Sequence, residues 1–262
     1  MVAMNPSASS DWTPWAPPGR RVRTLVGPGS RRFDLMLYAP EGEPPKNGWP
    51  CLVVLDGERF FDIFAGAASI LARRREKTGV APMVVLALAH RADQGIVDDQ
   101  RALDFTTFPC AQIDGARPGS GADAFRRFLD EAVLPEATGS VAIDRTRLTL
   151  FGHSLAGLFV LETLETRPDL FARWASISPS LWWRTPDAVN GSPDLMVGCG
   201  ELETGRDMRA RIEAWTAARR VAGAEFRLAP RADHGAAPVV LVPDILRHAS
   251  CGHSRGSALT TT

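Results

Sequence analysis

The sequence predicts an α/β fold: one domain built on a mostly parallel central sheet, with helices on both faces and no large cap. Three observations predict it. Short apolar, β-rich runs alternate with helical patterns along most of the chain, the order that produces parallel strands joined by crossover helices. Runs such as 51–55 and 83–88 are apolar at every position, as strands covered on both faces must be. The 262 residues contain no internal repeat and no low-complexity linker; that length suits one large domain or two of about 100–150 residues, and the missing linker favours one.

Taken in order, residues 1–25 form a polar, Pro-rich segment expected to dress the surface, residues 26–250 the domain, and residues 251–262 a flexible tail. Strands are predicted at 32–38 (an edge), 51–55, 83–88, 148–151, 174–177, 195–197 and 226–229. Helices are predicted at 60–75, 122–133, 155–166, 206–221 and 237–248, the last interrupted by Pro243. Ala124, Phe125, Phe128, Leu129 and Val133 give the clearest stripe of period 3.6. In such sheets ligands gather at the carboxyl ends of the strands, so the chemistry belongs in the strand-to-helix loops.

Composition removes several classes. Thirty Lys and Arg balance thirty Asp and Glu, whereas binding to a nucleic-acid backbone or an anionic membrane needs a large basic excess. The four cysteines, Cys51, Cys110, Cys199 and Cys251, show no CxxC spacing and no metal or disulfide framework; three are read as structural thiols. The first 23 residues lack the apolar core of a secretory signal, and no run of about 18 apolar residues occurs. A cytoplasmic protein with a small-molecule partner is the expectation. Oligomeric state is not legible.

The strongest local signal is LTLFGHSLAGLF at 148–159, a buried strand running through Gly152-His153-Ser154-Leu155-Ala156-Gly157 into an apolar helix. A serine in a strained strand-to-helix turn needs small neighbours. Ala156 stands where the strict GxSxG pattern has glycine, with Gly157 behind it. The bland alternative is a Gly/Ser turn that merely starts a helix. As a nucleophile, Ser154 needs a base held in one tautomer by a carboxylate. Among the five histidines, His234 fits best: it lies in the polar loop RADHG at 231–235 after the last predicted strand, and hydrolases of this kind order serine, acid and histidine along the chain. The acid belongs in LMVGCGELET at 195–204, where Glu203 is preferred and Glu201 is the alternative; either could instead be a solvated helix entrance. The Leu155 amide would be one oxyanion donor, and Gly57 or Glu58, in the loop LDGE at 55–58, the second; a simple tight turn fits the latter residues equally well.

With these residues, the chain resembles the bacterial α/β-hydrolase esterases that open trilactone (ferric siderophore) esters, relatives of the esterase D group. The resemblance rests on VVLDGE at 53–58, RALDFT at 101–106, GADAFRRFL at 121–129, GHSL at 152–155, SISPSLWW at 176–183 and His234-Gly235. It implies a serine esterase with Ser154 and His234 as nucleophile and base, no cofactor and no metal, and a small-molecule ester, such as a ferric siderophore, as substrate. Trp182 and Trp183 would offer an aromatic face to a catecholate, or simply pack. Arg59, Arg91, Arg101, Arg184 and Arg231 follow predicted strand ends, and Arg59 and Arg101 are taken as substrate contacts. The acids Glu58, Asp93, Asp104, Glu201, Glu203 and Asp233 share those loops, so surface ion pairs are the alternative to a basic pocket. A general carboxylesterase, thioesterase or acyltransferase, or a non-catalytic binder on the same fold, is the competing class.

Overall fold

Along the innermost strands successive side chains point to opposite faces, and both faces are apolar. Cys51, Val53 and Leu55 face one core, Leu52 and Val54 the other; Val84, Leu86 and Leu88 face the first, Val85 and Ala87 the second. Such strands can only be central. In the computed structural model, which describes residues 17–109, 119–187, 192–219 and 224–251, they lie in the middle of an eight-stranded sheet. The strands are β1 (Arg20–Val26), β2 (Arg32–Tyr38), β3 (Trp49–Leu55), β4 (Val84–His90), β5 (Ile143–His153), β6 (Arg173–Ile177), β7 (Leu195–Gly200) and β8 (Ala224–Ala229), in the order β1-β2-β4-β3-β5-β6-β7-β8. Strand β2 runs antiparallel to β1 and to β4, and every other pairing is parallel.

The helices are α1 (Gly57–Leu71), α2 (Arg75–Thr78), α3 (Val97–Phe105), α4 (Ala122–Phe128), α5 (Leu134–Ser140), α6 (Leu155–Thr166), α7 (Met208–Arg219), α8 (Ala237–Val240) and α9 (Val242–Ser250). A π-helical turn, Leu129–Val133, joins α4 to α5 just before Pro135. Helices α3, α4, α6 and α7 cover one face through Phe105, Phe125, Phe159, Ile212 and Trp215. Helices α1, α8 and α9 cover the other through Phe60, Phe61, Phe64, Ala237 and Ile245.

Three sequence expectations change. The sheet starts at Arg20, so the boundary of the domain at residue 26 is corrected: β1 lies inside the stretch read as a surface segment. Its sequence RRVRTLV is exposed at most positions, so no apolar alternation marks it, and its arginines suit an unpaired edge. Helix α3 is also new, because what it buries is polar: Gln100, Arg101 and Asp104 beside Ala102 and Phe105. Pro243 does not break a helix internally. It sits in the first turn of α9, where a missing N–H costs nothing, and the chain bends at Leu241 between two helices. Residues 1–16, with Trp12 and Trp15, residues 110–118 with Cys110, residues 220–221 and the tail after Cys251 lie outside the described residues. Among the described residues no helix is long and apolar enough to cross a membrane.

The topology points to one place. From β3 the chain enters α1 on one face, and from the adjacent β5 it enters α6 on the other. Neighbouring parallel strands whose helices leave to opposite sides open a crevice at their carboxyl ends.

Candidate active site

Ser154 stands in that crevice, between the last residue of β5 and the first of α6. Its backbone is at φ 60, ψ −117, a region that L-residues avoid and that persists only where the surroundings impose it. Here the neighbouring strand does so. The Ser154 N–H donates to the Ile177 carbonyl at the end of β6 (3.0 Å), and its carbonyl accepts from Leu158 (3.0 Å) and Ser180 (3.1 Å). A Cβ at Gly152 would fall 2.2 Å from the Ala156 carbonyl oxygen, so the turn closes only on glycine there. Ala156 fits fully buried in the core. The tight position has moved one residue on: a Cβ at Gly157 would meet the Ile177 carbonyl oxygen at 2.9 Å.

His234 and Glu203 come to this serine from the ends of β8 and β7. The Ser154 hydroxyl lies 3.1 Å from His234 Nε2, and His234 Nδ1 lies 3.0 Å from Glu203 Oε2. A carboxylate accepts only, so Nδ1 carries the proton and Nε2 is free to accept from the serine. The Glu203 side chain is 1% exposed and that of His234 42%. Burial pushes the Glu203 carboxyl up, but the hydrogen bonds from His234, Ser178 Oγ (2.5 Å) and the Gly200 amide (2.6 Å) outweigh it and hold the group below the usual carboxylate range. Glu201 does something else: its carboxylate accepts the Arg231 N–H (2.7 Å), stitching the end of β7 to the loop that carries His234. Of the two acids in this loop, Glu203 is the one brought to the imidazole.

Three neighbours were not singled out from sequence for these roles. Ser178, at φ 48, anchors the acid. The Ser180 hydroxyl lies 3.3 Å from that of Ser154. Buried His153 sits against His234, ring centroids 4.6 Å apart, and its Nε2–H donates to the His234 carbonyl at 2.9 Å. Burial, with His234 adding to it, pushes His153 down to about 4, so it is neutral near pH 7. The only sequence signal was the polar cluster SISPS at a strand end.

Gly57 and Leu155 occupy the first positions of α1 and α6, whose amides have no acceptor inside the helix. The two helices leave adjacent strands, so both amides belong to the same carboxyl edge of the sheet, where an oxyanion pair is expected. Glu58 is less suited, since its carboxylate turns back on its own amide. The reason for glycine at 57 differs from the expected approach of substrate: a Cβ there would meet Ala87 and the Leu88 backbone at 3.1 Å, so it is the helix that must approach β4.

Of the five strand-end arginines, Arg231 is exposed with no carboxylate within 4.0 Å among the described residues, and the other four are paired. Arg101 is corrected as a substrate contact: it is 5% exposed and forks onto Asp56 at 2.7 and 2.8 Å, tying α3 to the end of β3. Arg59 is exposed but pairs with Asp98 (3.1 Å), Arg91 with Asp34 and Asp93, and Arg184 with Glu162 and Glu165. Trp183 packs against the core and donates its indole N–H to the Phe108 carbonyl (2.9 Å), so it serves the fold. Trp182 lies half-exposed under Arg206. Asp56, Glu58 and His90 bring donor atoms within 4.8 Å of one another, but both Asp56 oxygens accept from Arg101 and the Glu58 carboxylate accepts the His90 amide (3.3 Å). Asp56 and Glu58 thus have protein partners, and His90 Nε2 lies 3.0 Å from Asp104, while the buried His90 Nδ1 has no hydrogen-bond partner among the described residues.

A Ser–His–carboxylate file at the carboxyl edge of this sheet order defines an α/β-hydrolase. The chain belongs to the "Putative esterase" family, whose model matches residues 30–231. It is a carboxylic ester hydrolase. It is 34% identical to the ferri-bacillibactin esterase BesA of Bacillus subtilis over 71% of each chain. The fold is similar to that of the BES protein from Bacillus cereus (TM-score 0.84, 22% identity, 92% of this chain and 100% of that one). It is also similar to the siderophore hydrolase EstB from Aspergillus nidulans (TM-score 0.71, 22% identity, 91% and 96%).

Proposed function

We propose that this protein hydrolyses the ester bonds of a siderophore, of the cyclic trilactone kind, with Ser154 as nucleophile, His234 as base and Glu203 as the acid that orients it. The observation that carries the reading is the unbroken relay from the Ser154 hydroxyl through His234 to buried, ionised Glu203.

The Ser154 Oγ attacks an ester carbonyl as His234 Nε2 takes its proton, and the new oxyanion sits between the Leu155 and Gly57 amides. The imidazolium is stabilised by Glu203 and returns the proton to the departing alkoxide. Water then attacks the acyl-serine with His234 again as base, releasing the acid and restoring Ser154. His153 and Ser178 hold base and acid in line without touching the reacting atoms. The name of the relative BesA, and the lack of any helix between β6 and β7 among the described residues, support a bulky ester as substrate.

The test is a comparison of wild type with Ser154→Ala, using a fluorophosphonate probe, p-nitrophenyl butyrate and a ferric trilactone siderophore. Labelling of wild type alone and loss of hydrolysis by about 10⁴-fold or more are expected. Substantial turnover by Ser154→Ala would sink the assignment of the nucleophile. A wild type that is labelled and cleaves the simple ester but leaves the trilactone intact would remove the siderophore.

A further inference from the structure

We infer that Ser180 is a further catalytic residue: its hydroxyl donates a hydrogen bond to Ser154 Oγ, and that bond chiefly speeds release of the acyl group from the enzyme. The inference rests on the serine-esterase reading of the relay and adds to it a residue that touches a reacting atom.

The observation behind it is where the protons must lie. The hydroxyls of Ser154 and Ser180 are 3.3 Å apart, and that distance alone leaves the donor open. The relay decides it. Glu203 accepts the Nδ1 proton of His234, so Nε2, 3.1 Å from Ser154 Oγ, is an acceptor and takes the one hydroxyl proton that Ser154 has. Towards Ser180, Ser154 Oγ is then left to accept. Among the described residues Ser180 Oγ has no other hydrogen-bond partner, and the residue is 1% exposed, so bulk solvent does not compete for its proton.

The hydroxyl is not needed to build its own turn. The Ser180 N–H already donates to the Ser154 carbonyl (3.1 Å), and the Ser180 carbonyl accepts from the Trp183 N–H (2.9 Å). A Cβ at Gly157 would lie 3.2 Å from Pro179 Cα, so the turn is pressed against the start of α6 and its position is fixed by backbone contact. The two serines that flank Pro179 serve different partners. The Ser178 hydroxyl binds the acid at 2.5 Å, whereas that of Ser180 reaches the nucleophile.

What the bond does changes with the state of Oγ. In the free enzyme it joins two neutral hydroxyls at 3.3 Å, longer than the about 2.7–2.8 Å usual for such pairs, and is weak. As His234 takes the proton and Oγ bonds to the acyl carbon, charge on Oγ strengthens it. In the acyl-enzyme Oγ is an ester oxygen, a poor acceptor, and the Ser180 O–H is left buried without a good partner. Water then attacks the acyl carbon and gives a proton to His234, the carbon–Oγ bond breaks, and Oγ takes that proton. While Oγ carries charge on departure the hydrogen bond is strong again, and Ser180 keeps its own proton throughout. The bond is weakest in the acyl-enzyme, so it lowers the barrier out of that intermediate more than the barrier into it.

The test is stopped-flow kinetics with p-nitrophenyl butyrate, in which the burst of nitrophenolate reports acylation and the steady state deacylation, for wild type, Ser180→Ala and Ser180→Cys. In Ser180→Ala deacylation is expected to slow about tenfold or more and acylation by less, so that butyryl-Ser154 accumulates in mass spectra of the quenched enzyme. Ser180→Cys, whose thiol is a weaker donor of similar size, should fall between the two. An unchanged ratio of deacylation to acylation overturns the role, whether neither rate falls or both fall equally; equal loss is what a merely displaced nucleophile would give. A ratio shifted the other way overturns it as well. Should Ser180→Ala not fold, Ser180→Cys is judged by the same ratio. Fluorophosphonate labelling of wild type separates this role from the reading beneath it. If Ser154 is labelled and the ratio is unchanged, Ser180 alone loses its part; if wild type is not labelled at Ser154, both fall.

Discussion

Asp56 and Glu203 are both buried carboxylates at the carboxyl edge of the sheet, one after β3 and one after β7, and their partners differ. Asp56 is clamped by Arg101, a permanent cation itself almost fully buried. Glu203 faces His234, whose ring is partly open to solvent; in the proposed mechanism that ring gains charge only between taking the serine proton and passing it on. Equal burial therefore serves opposite ends. A fixed charge partner neutralises a carboxylate for good and fastens one element to another, whereas an imidazole leaves it an electrostatic task that exists only during turnover.

The sharpest way to break the contrast is Glu203→Gln. The amide still fills the space but supplies no charge to an imidazolium, so kcat is expected to drop by about 10³–10⁴-fold with the thermal midpoint little moved. Near-normal kcat would reduce the site to a Ser–His dyad. Next in size is Arg101→Met, which strands Asp56 in the interior; a loss of about 3–5 kcal/mol of unfolding free energy is expected from urea titration. A wild-type midpoint there would show that the pair fastens nothing. Smallest is the effect of pH through His153. Its folded value, about 4, lies below the ordinary 6.5, so the unfolded chain takes up the proton first as pH falls. The stability this group contributes is whole above about pH 6.5 and is lost toward pH 4, on the order of 3 kcal/mol in all. His153→Gln, which keeps a donor for the His234 carbonyl, should flatten that part of the stability curve. An unchanged slope would assign the dependence to other groups.

What could be read beforehand follows the same division. Strand β2 and helix α6 have the bounds that periodicity predicts, because their burial is apolar and local. Ser154, His234 and Glu203 were legible from their order in successive strand-end loops. Strand β1 was not, since an edge open to water carries no apolar code. Helix α3 was not, since Arg101 and Asp104 are buried by virtue of partners far away in the chain, Asp56, Arg31 and His90. For the same reason the free arginines could not be told from the paired ones. Charge counts from the sequence balance, but pairing such as Arg59 with Asp98 is a long-range fact, and so is its absence at Arg231 among the described residues.

Gly200 carries a wider consequence. Without a side chain, the end of β7 lets the Ala232 and Asp233 carbonyls approach to where a Cβ would lie 2.3 and 2.8 Å from them. The strand bearing the acid and the loop bearing the base thus touch backbone to backbone. Ser178 N–H donates to Gly198 (2.7 Å) and Ser154 N–H to Ile177, which adds β6 and the nucleophile to the same block. Ser154, His234 and Glu203 are thereby joined through main-chain contacts, so their spacing is set by the backbone of three successive strand ends rather than by the side chains around them.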